Sequence, residues 1–520
     1  MIRLLAFVAL MWMSHQCVAQ CTQTARYERD HKSSDNEFII ISMFENGLAL
    51  VRDKDKFKDG KKLWEVIRLD TELTETWALD LSTENRLRLV GYDYRDNLIY
   101  LLFREGDHEA SNLVLHTVHI QTQQTNRYTI KQEISFKVTH FSALANVITL
   151  GGYVSSEPAI LLFDLETEKA KLVPGFFVTN SELLDLRVNT NNTFNALIMD
   201  RSNKQNKKLL LKTFDATGAA LLEDEIEIDP ARTILTAITS SLLNDELLIA
   251  GTWTVGNAKQ AGGIFTTLAD PFSQQPVQYY PFGQFEHFLD YTPPKRAARI
   301  RAKSNEAISA QKIPDFKTYA LPMRIAEQPH GYALLVEVYQ PAANLGPYPY
   351  PYYGTYGPPM YGSYPYGYNP FMNRYYSTPY QYNQPQQGDS RMILASVAVF
   401  DQKAKLVKDY GLKLDELKTS TVEQTADFSY ENNEVILGFK KEKVIKMLRS
   451  QNEDLKPDTV TTRLSKTTET IRNENERNTY LRSWYGTTFY AWGYHSLRDI
   501  SQGVLESGRQ IFYINKIECR

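Results

Sequence analysis

The sequence predicts an all-β fold, an eight-bladed β-propeller of four-stranded antiparallel blades, and three observations carry the prediction. A short turn rich in Asn, Asp and Gly, followed by an apolar strand, returns eight times along the 520 residues. Where nothing is inserted the returns lie 46 to 53 residues apart, which is room for four short strands per unit. The final unit lacks a fourth strand, while a segment near the start, 22–29, belongs to no unit of its own. Four antiparallel strands per repeat of that length is the pattern of a propeller blade, and radial closure protects sheet edges that would otherwise template aggregation. Seven blades is the alternative if one hairpin is decorative. A pair of β-sandwiches also alternates strands and turns, but it needs no such regular spacing.

Taken in chain order, residues 1–19 read as a secretory signal peptide. Arg3 supplies the positive start, 4–13 the apolar stretch, and Cys17-Val18-Ala19 a small-residue cleavage site. The apolar stretch is too short to span a bilayer. Cleavage leaves Gln20 at the new terminus, and Gln20 spoils the lipobox-like run ending at Cys21, so no lipid anchor is expected there. The mature chain, 20–520, then reads as one propeller domain with two cysteines, Cys21 and Cys519, at its two ends. An oxidising compartment makes them a natural disulfide pair. That pairing places the termini together, as it must if 22–29 supplies the missing strand of the last blade.

The turn marks fall at 46, 97, 146, 192, 245, 331, 433 and 486, and only the intervals of 86 and 102 residues depart from the period. A second mark trails the first, an apolar strand ending in an aspartate: Asp70, Asp164, Asp215 and, displaced by an insertion, Asp401. Aspartate at a strand end accepts hydrogen bonds from the backbone two residues on, so these are read as turn caps. The 86-residue interval holds 283–314, where Pro293-Pro294 precede an Ala-rich, helix-favouring run carrying Lys295, Arg296, Arg299, Arg301 and Lys303. These five are candidate contacts to anionic lipid, polysaccharide or an acidic partner; the other reading is a solvated helix laid across the rim.

The 102-residue interval holds 347–388, with 13 of the 32 tyrosines, no Val, Ile or Leu, and one charge, Arg374. Such a segment cannot build an aliphatic core, and it is expected to be a disordered Tyr/Pro/Gly loop. Tyrosine offers broad amphipathic contact at low side-chain entropy cost. Tyr348, Tyr350, Tyr352, Tyr353, Tyr356, Tyr361, Tyr364, Tyr366 and Tyr368 are therefore candidate binding residues. In a propeller, the connections between blades and those between second and third strands emerge on one face. Both insertions and the charged linker 466–481 would decorate that face and leave the other plain.

The repeats resemble propellers of the YVTN, NHL and kelch type, though none of those motifs is intact. The tail, with Trp484-Tyr485-Gly486-Thr487, Phe489-Tyr490-Ala491-Trp492-Gly493 and Ile511-Phe512-Tyr513-Ile514-Asn515, resembles uncharacterised exported bacterial proteins of propeller form. The resemblance implies the fold and export, and no assigned activity.

Composition and motif content narrow the function. The apolar fraction of 42% supports a large core, and a net charge of −3 lacks the basic field of a nucleic-acid binder. No dinucleotide fingerprint, phosphate loop, nucleophile elbow or zinc-protease motif occurs, so no catalytic residue, cofactor or metal is expected. His116 and His119 share a strand at a spacing that puts them on opposite faces, which rules against a joint metal site. The expected function is an exported, non-catalytic binding or scaffold propeller of the bacterial envelope, in the periplasm, at the outer membrane or on the cell surface. Its partner would be an envelope protein or polysaccharide. The alternative is a carbohydrate-active propeller enzyme, glycosidase or lyase in type, with paired carboxylates near the axis.

Overall fold

Strand chemistry orders each blade radially. The second strand of blade five, Leu247–Thr254, is buried at every residue, whereas the fourth strand of blade one, Glu75–Thr83, alternates between solvent and core. A strand covered on both faces reads as a continuous apolar run, and one covered on a single face alternates. The computed structural model describes residues 20–520 apart from 33, 107, 109, 176–179, 204–206, 245, 271, 273–274, 342–389, 420–421, 452–453, 475–478 and 500–507. The signal-peptide and tyrosine-segment assignments, 1–19 and 347–388, lie outside the described residues.

Eight sheets follow one another along the chain, each pairing its strands in sequence order: 39–83, 87–130, 137–172, 181–227, 233–281, 320–419, 426–461 and a last one that takes in both ends. The eight-bladed propeller is therefore the fold. The turn marks at 46, 97, 146, 192, 331, 433 and 486 fall where the first strand of a blade turns into its second, the mark at 245 lying outside the described residues, and five of these hairpins carry non-glycine residues at positive φ: Phe44, Asp96 with Asn97, Ala145, Asn192, and Asn432 with Asn433. Asn and Asp tolerate that region better than other side chains, which is why these residue types recur there. The trailing aspartates cap the hairpin between third and fourth strands. Asp70 accepts from the backbone N–H groups of Glu72 and Thr74, Asp215 from those of Thr217 and Ala219, and Asp401 from those of Lys403 and Lys405.

Apolar clusters join every blade to the next. Ile39 and Val51 of blade one pack with Leu89 and Ile99 of blade two, and the series continues to Phe439 and Leu335 between blades six and seven. The ring closes where Phe38 and Leu50 of blade one meet Trp484, Trp492 and Phe512 of blade eight. Close approach demands small residues in places: a Cβ on Gly151 of blade three would stand 2.8 Å from Leu186 of blade four.

The last blade combines Tyr480–Ser483, Thr488–Asp499 and Arg509–Cys519 with the N-terminal strand Cys21–Asp30, which pairs antiparallel with Arg509–Cys519 from Cys21↔Cys519 to Asp30↔Ile511. The sequence-predicted closure and the Cys21–Cys519 disulfide are both present. Arg509 reinforces it by reaching Glu28 at 2.8 Å and Glu469 at 2.7 Å. The stretch 466–481 is more than a linker. Its segment Glu469–Glu474 pairs with the far end of Thr488–Asp499, so the innermost strand of this blade comes in two pieces.

The interval between blades five and six carries one helix, α1 (Pro294–Ser309), with Pro at its start. Ala297 packs into the core between those blades beside Phe282, Phe285 and Phe288. Asp409 of blade six anchors the approach by accepting from the backbone N–H groups of Glu286 and His287. Strands Gly331–Gln340 and Ser390–Asp401 flank the other insertion, placing it between the second and third strands of blade six. Among the described residues no helix is long and apolar enough to cross a membrane.

Candidate functional site

The first strand of each blade is a sheet edge facing the axis, and its unpaired backbone N–H groups need acceptors. Buried carboxylates on neighbouring blades provide them. Asp93 of blade two accepts from the Ala143 N–H of blade three at 2.9 Å. Asp185 of blade four accepts from both the N–H and the hydroxyl of Thr239 in blade five, at 2.8 and 2.6 Å. Glu337 of blade six accepts from the N–H groups of Thr425 and Ala426, and Asp427 of blade seven from the N–H of Ser483 in blade eight. These acids clip blade to blade, and Arg324 sits 3.1 Å from Asp427 within the same network.

His140, on the first strand of blade three, is fully buried with Nδ1 2.9 Å from the Thr139 hydroxyl. Burial pushes its imidazole down to about 4. The folded state thus binds fewer protons here than the unfolded chain, whose histidine titrates near 6.5. The contribution is complete above that value and is lost as pH falls through it towards 4. Between about pH 7 and pH 4.5 the wild type should lose about 2 kcal/mol more stability than His140→Gln. Denaturant midpoints at the two pH values measure this, and parallel losses would refute it.

A cavity of about 390 Å³ opens at the mouth of the axis, on the face where the first hairpins turn. Four consecutive blades line it. Blade six contributes Glu327 and Gln328, blade seven Tyr430 and Glu431, blade eight Trp484 and Tyr485, and blade one Phe44 and Glu45. Glu327 is held by the Ser241 hydroxyl at 3.0 Å and by the backbone N–H groups of Leu243 and Asn244, and burial pushes its carboxyl up against the pull of those donors. Glu431 is also pushed up by burial and accepts a long hydrogen bond, 3.4 Å, from the Gln328 amide. The Trp484 ring stands edge-on to Tyr485 at 5.1 Å and to Tyr490 at 5.8 Å.

The residues named from sequence lie elsewhere. Lys295, Arg296, Arg299 and Lys303 are exposed on α1, and none of the four enters an ion pair among the described residues. Arg301 is partly buried and turns inward, donating to the carbonyls of Phe285 and Glu286 and standing 3.8 Å from Asp290, so it ties the helix down. Tyr348, Tyr350, Tyr352, Tyr353, Tyr356, Tyr361, Tyr364, Tyr366 and Tyr368 lie outside the described residues. His116 is buried and pushed down to about 4 by burial, whereas the His119 ring accepts from the backbone of Gln121 and Thr122. Among the described residues no group of three or more His, Cys, Asp or Glu is placed to hold a metal.

The cavity is not legible in the sequence, although the turn marks at 46 and 486 fall on two of the hairpins that line it. Glu45, Tyr485 and Gly486 signal a hairpin, and nothing in their spacing shows that these hairpins converge with Glu327 and Glu431.

No protein-family model matches the chain, and no curated protein is significantly similar to it. Solved structures of similar form include the β-propeller domain of the Trilobed protease from Pyrococcus furiosus, 9% identical over 80% of this chain and 96% of that one, with a TM-score of 0.35. Polysaccharide lyase Uly1 is 8% identical over 93% of this chain and 99% of its own, with a TM-score of 0.36. Prolyl oligopeptidase B from Galerina marginata is 8% identical over 89% and 55%, with a TM-score of 0.40. At such identities and scores these likenesses carry no argument about what this chain binds or does.

Proposed function

We propose that the chain is an exported binding or scaffold propeller of the bacterial cell envelope, without a reaction of its own, that recognises a polyanionic protein or glycan partner. The observation that carries the reading is the exposed stripe of Lys295, Arg296, Arg299 and Lys303 on α1, four cations without an anionic partner among the described residues. The helix needs none of them for its own docking, which runs through Ala297, Ser304 and Arg301. The tyrosine segment 347–388, on adjoining blade six, would extend the same binding surface. The Cys21–Cys519 bond supports export, since disulfides persist in oxidising compartments. The looser likeness to YVTN, NHL and kelch repeats fits a propeller used for recognition.

The enzyme alternative needs a free pair of axial carboxylates. Asp93, Asp185, Glu337 and Asp427 are each engaged with backbone N–H groups of the next blade, so these four do not supply that pair. The test uses two polycarboxylates, polygalacturonate as the glycan and poly-glutamate as the peptide. At least one should bind, and its affinity should fall about tenfold or more between about 50 and 500 mM salt. Reversing all four cations to Glu should abolish that binding. Salt-insensitive binding, or a four-site variant that binds as well as the wild type, would overturn the proposal.

A further inference from the structure

Innermost strands bury most of their residues: Lys137–Leu144 of blade three buries seven of eight, and Tyr480–Ser483 of blade eight three of four. The other piece of blade eight's innermost strand differs. Glu469–Glu474 buries two of six residues, and both are carboxylates, with Ile471 half-buried against Leu497, Ile511 and Tyr513. It pairs on one side only, with the far end of Thr488–Asp499. Glu469 meets Arg509 at 2.7 Å. Glu474 Oε1 accepts from the Lys440 ammonium at 2.6 Å and from the Tyr513 hydroxyl at 2.5 Å, with His495 Nε2 3.3 Å away. A strand anchored by buried carboxylates stays down only while its counter-charges balance.

His495 can upset that balance. Its side chain is wholly buried, and its ring stacks on Tyr513 with centroids 4.0 Å apart. Facing it are Glu474 from the innermost strand, Lys440 from the second strand of blade seven, Tyr513 from the third strand and Arg26 from the N-terminal strand, the last already paired with Glu28. Neutral His495 leaves one ammonium to one carboxylate here. Protonated, it brings a second cation to the same Glu474 oxygen in a site closed to water. Burial first, then Arg26 and Lys440, hold the imidazole below its ordinary value against the pull of Glu474. A proton is therefore taken up more readily once His495 reaches water, so acid favours the undocked strand.

We infer that Glu469–Glu474 is an acid-released strand: docked while His495 is neutral, it lifts off Thr488–Asp499 when His495 takes up a proton. The lowered imidazole sets the sign. Docking is strongest above the ordinary histidine value of about 6.5 and weakens as pH falls below it. Release bares the sheet edge at 495–499, whose backbone donors and acceptors an extended segment can pair with. Tyr480–Ser483 and the Cys21–Asp30 pairing stay in place, so the ring remains closed.

Hydrogen exchange on the mature chain, read by mass spectrometry, tests this. Between about pH 7.5 and about pH 5, with the intrinsic exchange rate divided out, the protection of Glu469–Glu474 should fall about tenfold or more. Tyr480–Ser483 should stay unexchanged over the same labelling times at both pH values. His495→Gln should remove most of the fall. Glu474→Gln, which takes away the anchor, should leave the strand weakly protected already at the higher pH. Unchanged protection of Glu469–Glu474 in the wild type, a fall shared by Tyr480–Ser483, or a fall of the same size in His495→Gln would overturn the inference. The wild-type comparison needs no variant, so it decides the matter even if a variant fails to fold.

Discussion

Replacing Cys21 and Cys519 together by serine is expected to lower the stability of the ring by about 2–5 kcal/mol, the range for loss of a native disulfide. The bond spans a sequence separation of 498 residues, and the chain-entropy relation for so long a loop gives about 6 kcal/mol as an upper figure. The measured loss should fall short of it, because the same closure is held by other contacts that survive the substitution. Cys21–Asp30 stays paired along Arg509–Cys519, Arg29 reaches Glu65 at 2.6 Å, and Lys516 reaches Glu72 at 2.7 Å. Both cysteines are buried, at 4% and 2% exposure, so a reductant should act only after this strand opens. Denaturant midpoints of the oxidised chain and the double serine variant measure the loss, and non-reducing peptide mapping should recover the two terminal peptides linked. An unchanged midpoint would mean that strand pairing alone closes the ring.

A loss of similar size is expected from Lys440→Met. Lys440 of blade seven stands 2.6 Å from Glu474 of blade eight, with both side chains almost wholly buried. The same Glu474 oxygen accepts from the Tyr513 hydroxyl at 2.5 Å and lies 3.3 Å from His495 Nε2. Burial pushes the Glu474 carboxyl up, but His495 and Lys440 together outweigh it and hold the group below its ordinary value. Removing the ammonium strands an ionised carboxylate in the core, a change that costs about 3–5 kcal/mol in comparable sites. Lys440→Met with Glu474→Leu removes both charges and should recover much of that loss, since buried pairs replaced by apolar groups are often neutral. A double variant no more stable than the single one would show that Glu474 matters through Tyr513 and His495 instead.

Turn chemistry made the fold readable in advance. Asn97, Asn192 and Asn433 sit at positive φ, and Asp215 and Asp401 cap their own hairpins, all through contacts spanning a few residues. Such signals repeat with the blade and survive insertions, which is why the count of eight and the closing strand followed from spacing. The candidate surfaces were less legible. Arg301 belongs to the same basic run as Arg299, yet one faces a carbonyl and the other solvent, and only the packing of α1 against Phe285 and Glu286 separates them. The strand Glu469–Glu474 was hidden by its charges, because its pairing with Thr488–Asp499 relies on backbone groups and on Arg509 and Lys440 as counter-ions.

By itself, then, the sequence determined the architecture: a repeat set by local turns, four strands per unit, and a clasp between Cys21 and Cys519. Only the tertiary structure decided how the axis is used. It assigned Asp93, Asp185, Glu337 and Asp427 to the bare edges of adjacent blades, and it gathered Glu45, Glu431 and Trp484 around one cavity. The physical reason is range. A hairpin is specified by residues that are neighbours in the chain, whereas the axial mouth is assembled from blades one, six, seven and eight, whose contributions meet only when the ring closes.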